Sequence, residues 1–418
     1  MLVLVINSGS SSIKFRLVHV VEEPGGVLTT QSALLQGAIK GIGSVARFEV
    51  TGQTMGSQAA TLEIRDHAQA LRVLLDRLAG SLGKIEAVGH RVVHGGDQYV
   101  ESTLITEQVE AGIDALSELA PLHNPPCLAG IRGARAAFGA TLPMVAVFDT
   151  AFHRTMPGVA KQYALPVELA ERHRIRRYGF HGIAHASLAN GYAVYMGNPL
   201  EQVRLITLQL GNGCSAAAIA QGRSIETSMG FTPLEGLVMG TRSGDVDVSI
   251  VSYLSEREKV EPAEVERWLN ERSGLLGLSG RSNDMRELLR VAEHEHDKRA
   301  EFAIDLFCYR ARKYLGAYLA VLDGADAVVF GGGIGENAPE IRERICRNMK
   351  WCGLELSRDL NRAAVGLAPG HAAKISMEGS RLAAYVVAAD EESWIARETV
   401  RCVRGLHTQR SQQSRLCQ

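Results

Sequence analysis

A chain of 418 residues with 45 basic and 46 acidic side chains, a formal charge of −1 and 46% hydrophobic residues is too long for one small core. So even a charge balance argues against nucleic acid or a membrane surface as the main partner. The seven cysteines stand apart with no Cys-x-x-Cys pair, and no apolar run approaches the roughly 18 residues of a membrane span, so a soluble protein of two or three domains in a reducing cytoplasm is expected, without a disulfide framework, zinc site or export signal.

The first elements are sharply drawn. Leu2 to Ile6 is an apolar, β-branched run that stops at Asn7-Ser8-Gly9-Ser10-Ser11-Ser12, and Ile13 to Leu17 resumes a strand-like alternation. The backbone N–H groups and hydroxyls of such a turn can face a phosphate, with Lys14 adding a compact positive charge; an ordinary serine-rich hairpin fits the turn equally well. Residues 22–31, with Pro24-Gly25-Gly26, read as a loop between strands. Asp66 to Leu78 reads as an amphipathic helix, with Leu71, Leu74, Leu75 and Leu78 on one face and Gly80 closing it. Ile85 to Val93 and Leu142 to Phe148 read as strands, and the basic cluster Arg172 to Arg177 as a solvated face rather than a binding patch. Val203 to Leu210, the turn Gly211 to Ser215 and the run Ala216 to Ile219 repeat the opening theme, which points to two similar α/β halves facing each other across a cleft. Phe302 to Leu322 reads as a long helix on the second half, and Ala327 to Phe330 as a strand running into the glycine-rich segment Gly331 to Asn337. The polar tail after Arg404 reads as disordered.

Several residues at the ends of these elements carry chemical potential. Arg91, closing a strand, can hold a carboxylate or phosphate with two parallel hydrogen bonds, or be a surface arginine beside a glycine turn. Asp149 follows a strand at the carboxyl end, where sites of α/β sheets gather, but an aspartate there can also cap a helix. His181 stands among Gly179, Phe180 and Gly182, where its ring can approach a ligand or serve structure alone. Arg242, among small residues after the rigid turn Thr232 to Gly236, can neutralise a transferring phosphoryl group, or belong to a solvated turn with Asp245 as a cap. Gly331 to Asn337 is not a Walker P-loop, because no Gly-Lys-Ser/Thr follows; its glycines would let backbone lie flat on adenine or ribose. Two phosphate turns, a nucleoside turn, glycine-flanked basic residues and an acid are together hard to explain as structure alone.

In this order the blocks resemble the acetate kinases, within the superfamily shared with sugar kinases, actin and the heat-shock chaperone ATPases. The resemblance runs from Asn7–Phe15 through Gly89–Gly96, Pro121-Leu122-His123-Asn124-Pro125, Val147–His153, Tyr178–Gly182, Gly211–Gly213, Thr227–Arg242, Ser282–Arg286 and Gly332–Asn337 to Asp390-Glu391-Glu392, nearly the whole chain. It implies an α/β protein of two ribonuclease-H-like (actin-like ATPase) domains around a central cleft. Residues 1–150 would form the first, completed by a returning helix near 386–405. Residues 151–385 would form the second, binding nucleotide and carrying a dimer interface, with 406–418 as a disordered tail.

The resemblance further implies ATP + acetate ⇌ ADP + acetyl phosphate by direct in-line transfer, with magnesium or manganese, in a cytoplasmic homodimer without nucleic-acid or membrane partners. Arg91 would bind the substrate carboxylate, and Val93, Leu122, Phe180 and Pro233 would shape a small apolar pocket. His181 and Arg242 would stabilise the transferring phosphoryl group, with Asp149 as the family's catalytic acid and Asn7 and Glu391 placing the metal. Lys14, Gln209, Leu210, Gly211, Asn212, Gly213, Asp284, Met285, Arg286, Gly332, Gly333, Ile334, Gly335 and Glu336 would hold ATP. Acetate is already ionised at pH 7, so Asp149 is expected to orient the metal, its waters or Arg91 rather than to remove a proton. Four departures from the family pattern, at five positions, stand out: Gln209 for His, Ile183-Ala184 for Thr-Ser, Asp390 for Asn and Glu226 for Asp. The rival readings are a propionate or butyrate kinase, differing in pocket volume near Val93 and Pro233, and a non-enzymatic actin-like nucleotide switch or filament.

Overall fold

The structure, a computed structural model, describes residues 1–405 apart from 32, 54–55, 79–84 and 122. The expected helix closure at Gly80, the pocket residue Leu122 and the tail 406–418 therefore lie outside the described residues. The chain divides into two compact units, Met1–Ala151 with the segment from Glu391, and Phe152–Asp390.

Unit 1 is built on the strands β1 (Leu2–Gly9), β2 (Ser12–Glu23), β3 (Val27–Thr30), β4 (Leu35–Lys40), β5 (Ser44–Gly52), β6 (Gly56–Ile64), β7 (Ala87–Val92), β8 (Thr103–Leu104) and β9 (Met144–Phe148). Their order is β6-β5-β4-β2-β1-β7-β9-β8, with β3 paired to β2. The Ser10-Ser11 turn closes an antiparallel β1–β2 hairpin in which Gly9 opposes Ser12, while β7 and β9 run parallel to β1. β1 is apolar from Leu2 to Ile6 because both its faces are covered. A Cβ on Gly89 would come 2.9 Å from Ile395 of the helix Glu391–Val403, and one on Gly130 of the helix Asn124–Phe138 would come 2.9 Å from the Cβ of Ser8. Gly89 is in register with Val5, so these helices cover opposite faces of the sheet. Residues 22–31 are not one loop. Gly25 and Gly26, at φ 89° and 80°, turn the chain within a few residues, and buried Leu28 anchors β3 against the end of β2.

Unit 2 carries β10 (Arg204–Leu210), β11 (Cys214–Ala220), β12 (Arg223–Thr227), β13 (Ala327–Gly331), β14 (Ala372–Lys374) and β15 (Ala383–Val387), in the order β12-β11-β10-β13-β15-β14. β10 and β11 form an antiparallel hairpin, and β13 and β15 run parallel to β10. The order and sense repeat β2-β1-β7-β9, so both units share one core plan. The helices Gly182–Met196 and Lys298–Val321 pack on this sheet, the first placing Leu188 and Tyr192 among Leu205, Ile219, Val329 and Val387. The basic cluster splits. Arg172 and Arg174 are exposed, but Arg177 donates to Glu235 at 2.5 Å and to the carbonyl of Met229 at 3.1 Å, which makes it a structural tie rather than part of a solvated face.

His90 is buried in β7, and burial followed by the charge of Arg135 lowers its pKa to about 3. The unfolded chain therefore binds a proton that the native state refuses, and stability is lost as pH falls from about 6.5 toward 3. The expected slope for such a group is about 1.4 kcal/mol per pH unit in that window. Urea unfolding of His90→Leu between those limits checks this: the variant should lose about one proton's worth of pH dependence. An unaltered slope would place the acid sensitivity elsewhere.

Candidate active site

In unit 1 the parallel neighbours β7 and β9 set Arg91 beside the end of β9, and Asp149 follows directly. Arg91 Nη2 donates to Asp149 Oδ2, and Nη1 donates to Asn7 Oδ1 at 3.4 Å. Asp149 is 1% exposed and its carboxylate turns to Arg91, not to a helix terminus, so the capping alternative does not apply. Burial pulls the Arg91 pKa down, but Asp149 and Glu391 outweigh it and leave the guanidinium above its ordinary value. Glu391, first residue of the helix Glu391–Val403, has its carboxyl pushed up to about 7, chiefly by burial and against the pull of Arg91. Lys14 lies directly opposite Asn7 in the β1–β2 ladder and is exposed. The next turn is held by Asn124, which accepts from His94 N and donates to His94 O, both at 3.1 Å, and Val93 beside it is buried.

Two buried atoms of this cluster lack a partner: Arg91 Nε, a donor, and Asp149 Oδ1, an acceptor. No group of three or more His, Cys, Asp or Glu that could hold a metal ion stands together among the described residues. The oxygen set is instead one amide and two carboxylates: Asn7, Asp149 and Glu391. That donor set fits magnesium, which takes a few hard oxygens and keeps waters or phosphate for the rest.

In unit 2, His181 begins the helix Gly182–Met196 in a left-handed conformation, φ 57°. Its Nδ1 lies 2.8 Å from Ser215 Oγ. A Cβ on Gly213 would stand 3.3 Å from His181 Nε2 and 3.8 Å from Arg242 Nη1, so both side chains converge on the glycine turn. Arg242 donates to the carbonyl of Pro233 at 3.3 Å, and burial lowers its pKa. Asn212 accepts from Gly240 N at 2.8 Å and from Asn283 Nδ2 at 2.9 Å, which fastens the turn to two further loops. Gln209 sits on β10 opposite Ser215, with its buried Oε1 unpartnered. Phe180 is buried, and Pro233 is half-buried. Asp245 does not cap a helix; it accepts from Gly236 N at 2.9 Å and from Tyr314.

Other residues expected at the nucleotide lie at the starts of two helices of this unit. Met285 is buried in the core, so only its backbone can face a ligand. Asp284 caps the helix Met285–His294 and pairs with Arg286 at 2.6 Å. The segment from Gly332 is no flat loop but a short helix, Gly332–Asn337. Gly332, at φ 74°, turns the chain out of β13 where a Cβ would strike Leu210 O, and Glu336 Oε1 closes the turn by accepting from Gly332 N at 2.9 Å and Ala389 N at 3.0 Å.

Sequence reasoning missed Arg342, whose side chain is fully buried. It donates to Gly335 O at 2.8 Å, Glu336 O at 2.9 Å, Asn361 O at 2.6 Å, Ala364 O at 3.0 Å and Asn361 Oδ1 at 2.7 Å. It thus terminates the glycine-rich helix, and burial lowers its pKa to about 10. No sequence signal marked it, since an arginine on a short helix ordinarily reads as surface. Arg342→Met should strand four carbonyls and destabilise by about 3 kcal/mol or more. Denaturant unfolding measures this directly, and a loss under about 1 kcal/mol would show that water replaces the guanidinium.

The sequence model of the Acetokinase family matches residues 2–397. The chain belongs to the Acetokinase family. The acetate kinase of Solibacter usitatus is 50% identical over 96% of this chain and 98% of its own, and that of Chloroherpeton thalassium 45% over 96% and 99%. The crystal structure of Porphyromonas gingivalis acetate kinase matches with a TM-score of 0.87 at 36% identity, covering 96% of this chain and 99% of that one. A propionate kinase from Francisella tularensis matches with a TM-score of 0.86 at 39% identity, covering 95% and 98%. Within this Acetokinase fold the departures are accommodated locally. Ile183 and Ala184 are buried, Asp390 N donates to Ser187 Oγ at 2.9 Å, and Glu226, its pKa raised by burial, lies 3.6 Å from Arg177.

Proposed function

We propose that this acetate-kinase-family phosphotransferase moves the terminal phosphoryl group of ATP reversibly onto the carboxylate of acetate by direct in-line transfer. The observation that carries the residue-level reading is the pair of buried, unpartnered atoms, Arg91 Nε and Asp149 Oδ1. One is a donor suited to an incoming carboxylate and the other an acceptor suited to a cation. Acetate needs no base at neutral pH; the difficulty is bringing two anions together. Arg91 binds the carboxylate, and Asp149 orients Arg91. Val93, Phe180 and Pro233 are the apolar side chains assigned to the methyl group. His181 and Arg242, meeting at Gly213, stabilise the equatorial phosphoryl oxygens where charge develops. Asn7, Asp149 and Glu391 would hold magnesium, which when bound supplies charge neutralisation of the ATP phosphates. Lys14, Gln209 and the backbone of 210–213 take the phosphates, while Asp284 to Arg286 and Gly332 to Glu336 flank the nucleoside.

A second acid is favoured by the match to a propionate kinase. One methylene changes binding by only about 1–3 kcal/mol, so overlapping use of acetate and propionate is expected. We assign the protein to a reducing cytoplasm, supported by six free cysteines among the described residues. A homodimer is supported by apolar side chains left exposed on unit 2, among them Val248 at 82%, Tyr253 at 57% and Tyr309 at 60%. Light scattering tests the dimer. The reaction is tested by trapping acyl phosphate as hydroxamate with Mg-ATP and acetate, propionate or butyrate in parallel. Product with acetate supports the reading, and product only with a longer acid reassigns the substrate. No product with any acid, while ATP still binds, would overturn it in favour of a nucleotide switch.

A further inference from the structure

Behind the ring of His181 runs a chain of buried polar side chains. His181 Nδ1 lies 2.8 Å from Ser215 Oγ, that oxygen lies 2.8 Å from His185 Nε2, and His185 Nδ1 lies 2.7 Å from Thr207 Oγ1. Ser215, His185 and Thr207 are each 0% exposed. His185 follows His181 by one helical turn, while Thr207 and Ser215 come from the neighbouring strands β10 and β11. So long a polar chain inside a sheet–helix interface costs stability unless every proton is placed.

Counting protons fixes its direction. Each hydroxyl carries one proton, and each neutral imidazole carries one N–H. If the chain ran from His181 inward, His185 would donate to Thr207, and the Thr207 proton would be left with the Ala217 carbonyl at 3.5 Å, the edge of hydrogen bonding. Run outward, Thr207 donates to His185 Nδ1, His185 Nε2–H donates to Ser215, and Ser215 donates to His181 Nδ1. Only the outward order gives the protons of the three fully buried members, Thr207, His185 and Ser215, each a bond of 2.7 or 2.8 Å, and leaves the fourth proton on His181 Nε2, beside Gly213. Burial first, then His153 and His181, holds His185 far below its ordinary pKa, so His185 has a single N–H to contribute.

We propose that Thr207, His185 and Ser215 are positioning residues that fix His181 as a neutral ring carrying its proton on Nε2, the atom turned toward the Gly213 phosphate turn. The proposal rests on the role assigned to His181 at the phosphoryl group. His181 then donates to a phosphoryl oxygen without taking up a proton, and of the two side chains meeting at Gly213 only Arg242 carries a positive charge. Among the titratable or charged groups around the pair are Arg242 at Gly213, the Cys214 thiol, pushed up to about 12 by burial, and the His153 ring 5.7 Å from that of His185.

The test reads the tautomer directly. Long-range proton–nitrogen correlation on the full chain with ¹⁵N-labelled histidine, at about pH 7.5, should show His181 protonated on Nε2 with Nδ1 as acceptor; His181→Gln identifies the signal by its loss. A Nδ1–H ring, or an imidazolium, at that pH overturns the proposal. Ser215→Ala should mix the tautomers and lower kcat about tenfold or more, with the KM for ATP and acid little changed, while Ser215→Thr keeps the hydroxyl and restores both. An Ala variant that is folded by thermal melting and keeps both the Nε2–H ring and wild-type kcat also overturns it. Absence of acyl phosphate from the wild-type enzyme would instead remove the reaction, and the nitrogen spectrum would still decide the tautomer.

Discussion

Arg242→Ala is expected to lower kcat by about 10³-fold or more while leaving the KM values and the melting temperature near those of the wild type. The split follows from the arginine's surroundings. Its Nη1 donates to Pro233 O at 3.3 Å and touches Met239 Sδ at 3.7 Å, and no carboxylate among the described residues pairs with it. Removing it therefore orphans no buried anion and relieves a desolvated charge. What is lost is a cation aimed at the Gly213 turn, and that loss is felt where charge on the phosphoryl oxygens peaks. Arg242→Lys keeps the charge without the planar fork and should fall between the two. Steady-state rates of hydroxamate formation measure all three enzymes. A kcat within about tenfold of wild type for the alanine variant would take Arg242 out of the mechanism.

Arg91→Ala should behave in the opposite way, striking substrate affinity and stability together. The guanidinium is the partner of an aspartate with 1% exposure, and deleting one member of a buried pair costs about 3–5 kcal/mol because the other stays charged and unpaired. The carboxylate of the acid loses its charge-assisted hydrogen bonds at the same time, worth about 1.5–3 kcal/mol each, so its KM should rise by about 10²-fold or more. A double variant, Arg91→Met with Asp149→Asn, separates the effects: most of the lost stability should return, but the KM should not. Unfolding in urea and saturation curves for acetate measure the two quantities. An unchanged KM in Arg91→Ala would move the carboxylate site elsewhere.

Local chemistry made much of the fold legible. The opening hairpin and the β10–β11 hairpin each join apolar-rich strand segments through a turn of small residues, a pattern that reads as strand–turn–strand. Arg91 and Asp149 were visible as strand-end residues, but their pairing was not, because it depends on β7 and β9 being parallel neighbours across 58 residues of chain. The glycine run was misread because glycine supports both flat loops and abrupt turns; the choice was made by Glu336 reaching back to Gly332 N. Val27–Thr30 was hidden by the turn preceding it, since four residues carry too little alternation to announce a strand. The spacing of His181 and His185 is readable as one helical turn, yet Ser215 and Thr207, which give it meaning, come from two strands further along the chain.

The helix Glu391–Val403 has a consequence for how the molecule is made. It packs on β1, β7 and β9, and Gly89 is bare because Ile395 and Thr399 press on it. On the ribosome, unit 2 is contiguous and fully synthesised by Asp390, whereas the first sheet to emerge still lacks the cover for one face. The amino-terminal half is thus begun first and finished last, and for most of translation a nascent chain carries an unfinished apolar sheet that invites chaperone capture. A message truncated near its end would be more harmful than its length suggests, since it would release protein whose last missing helix leaves the oldest part of the chain uncovered.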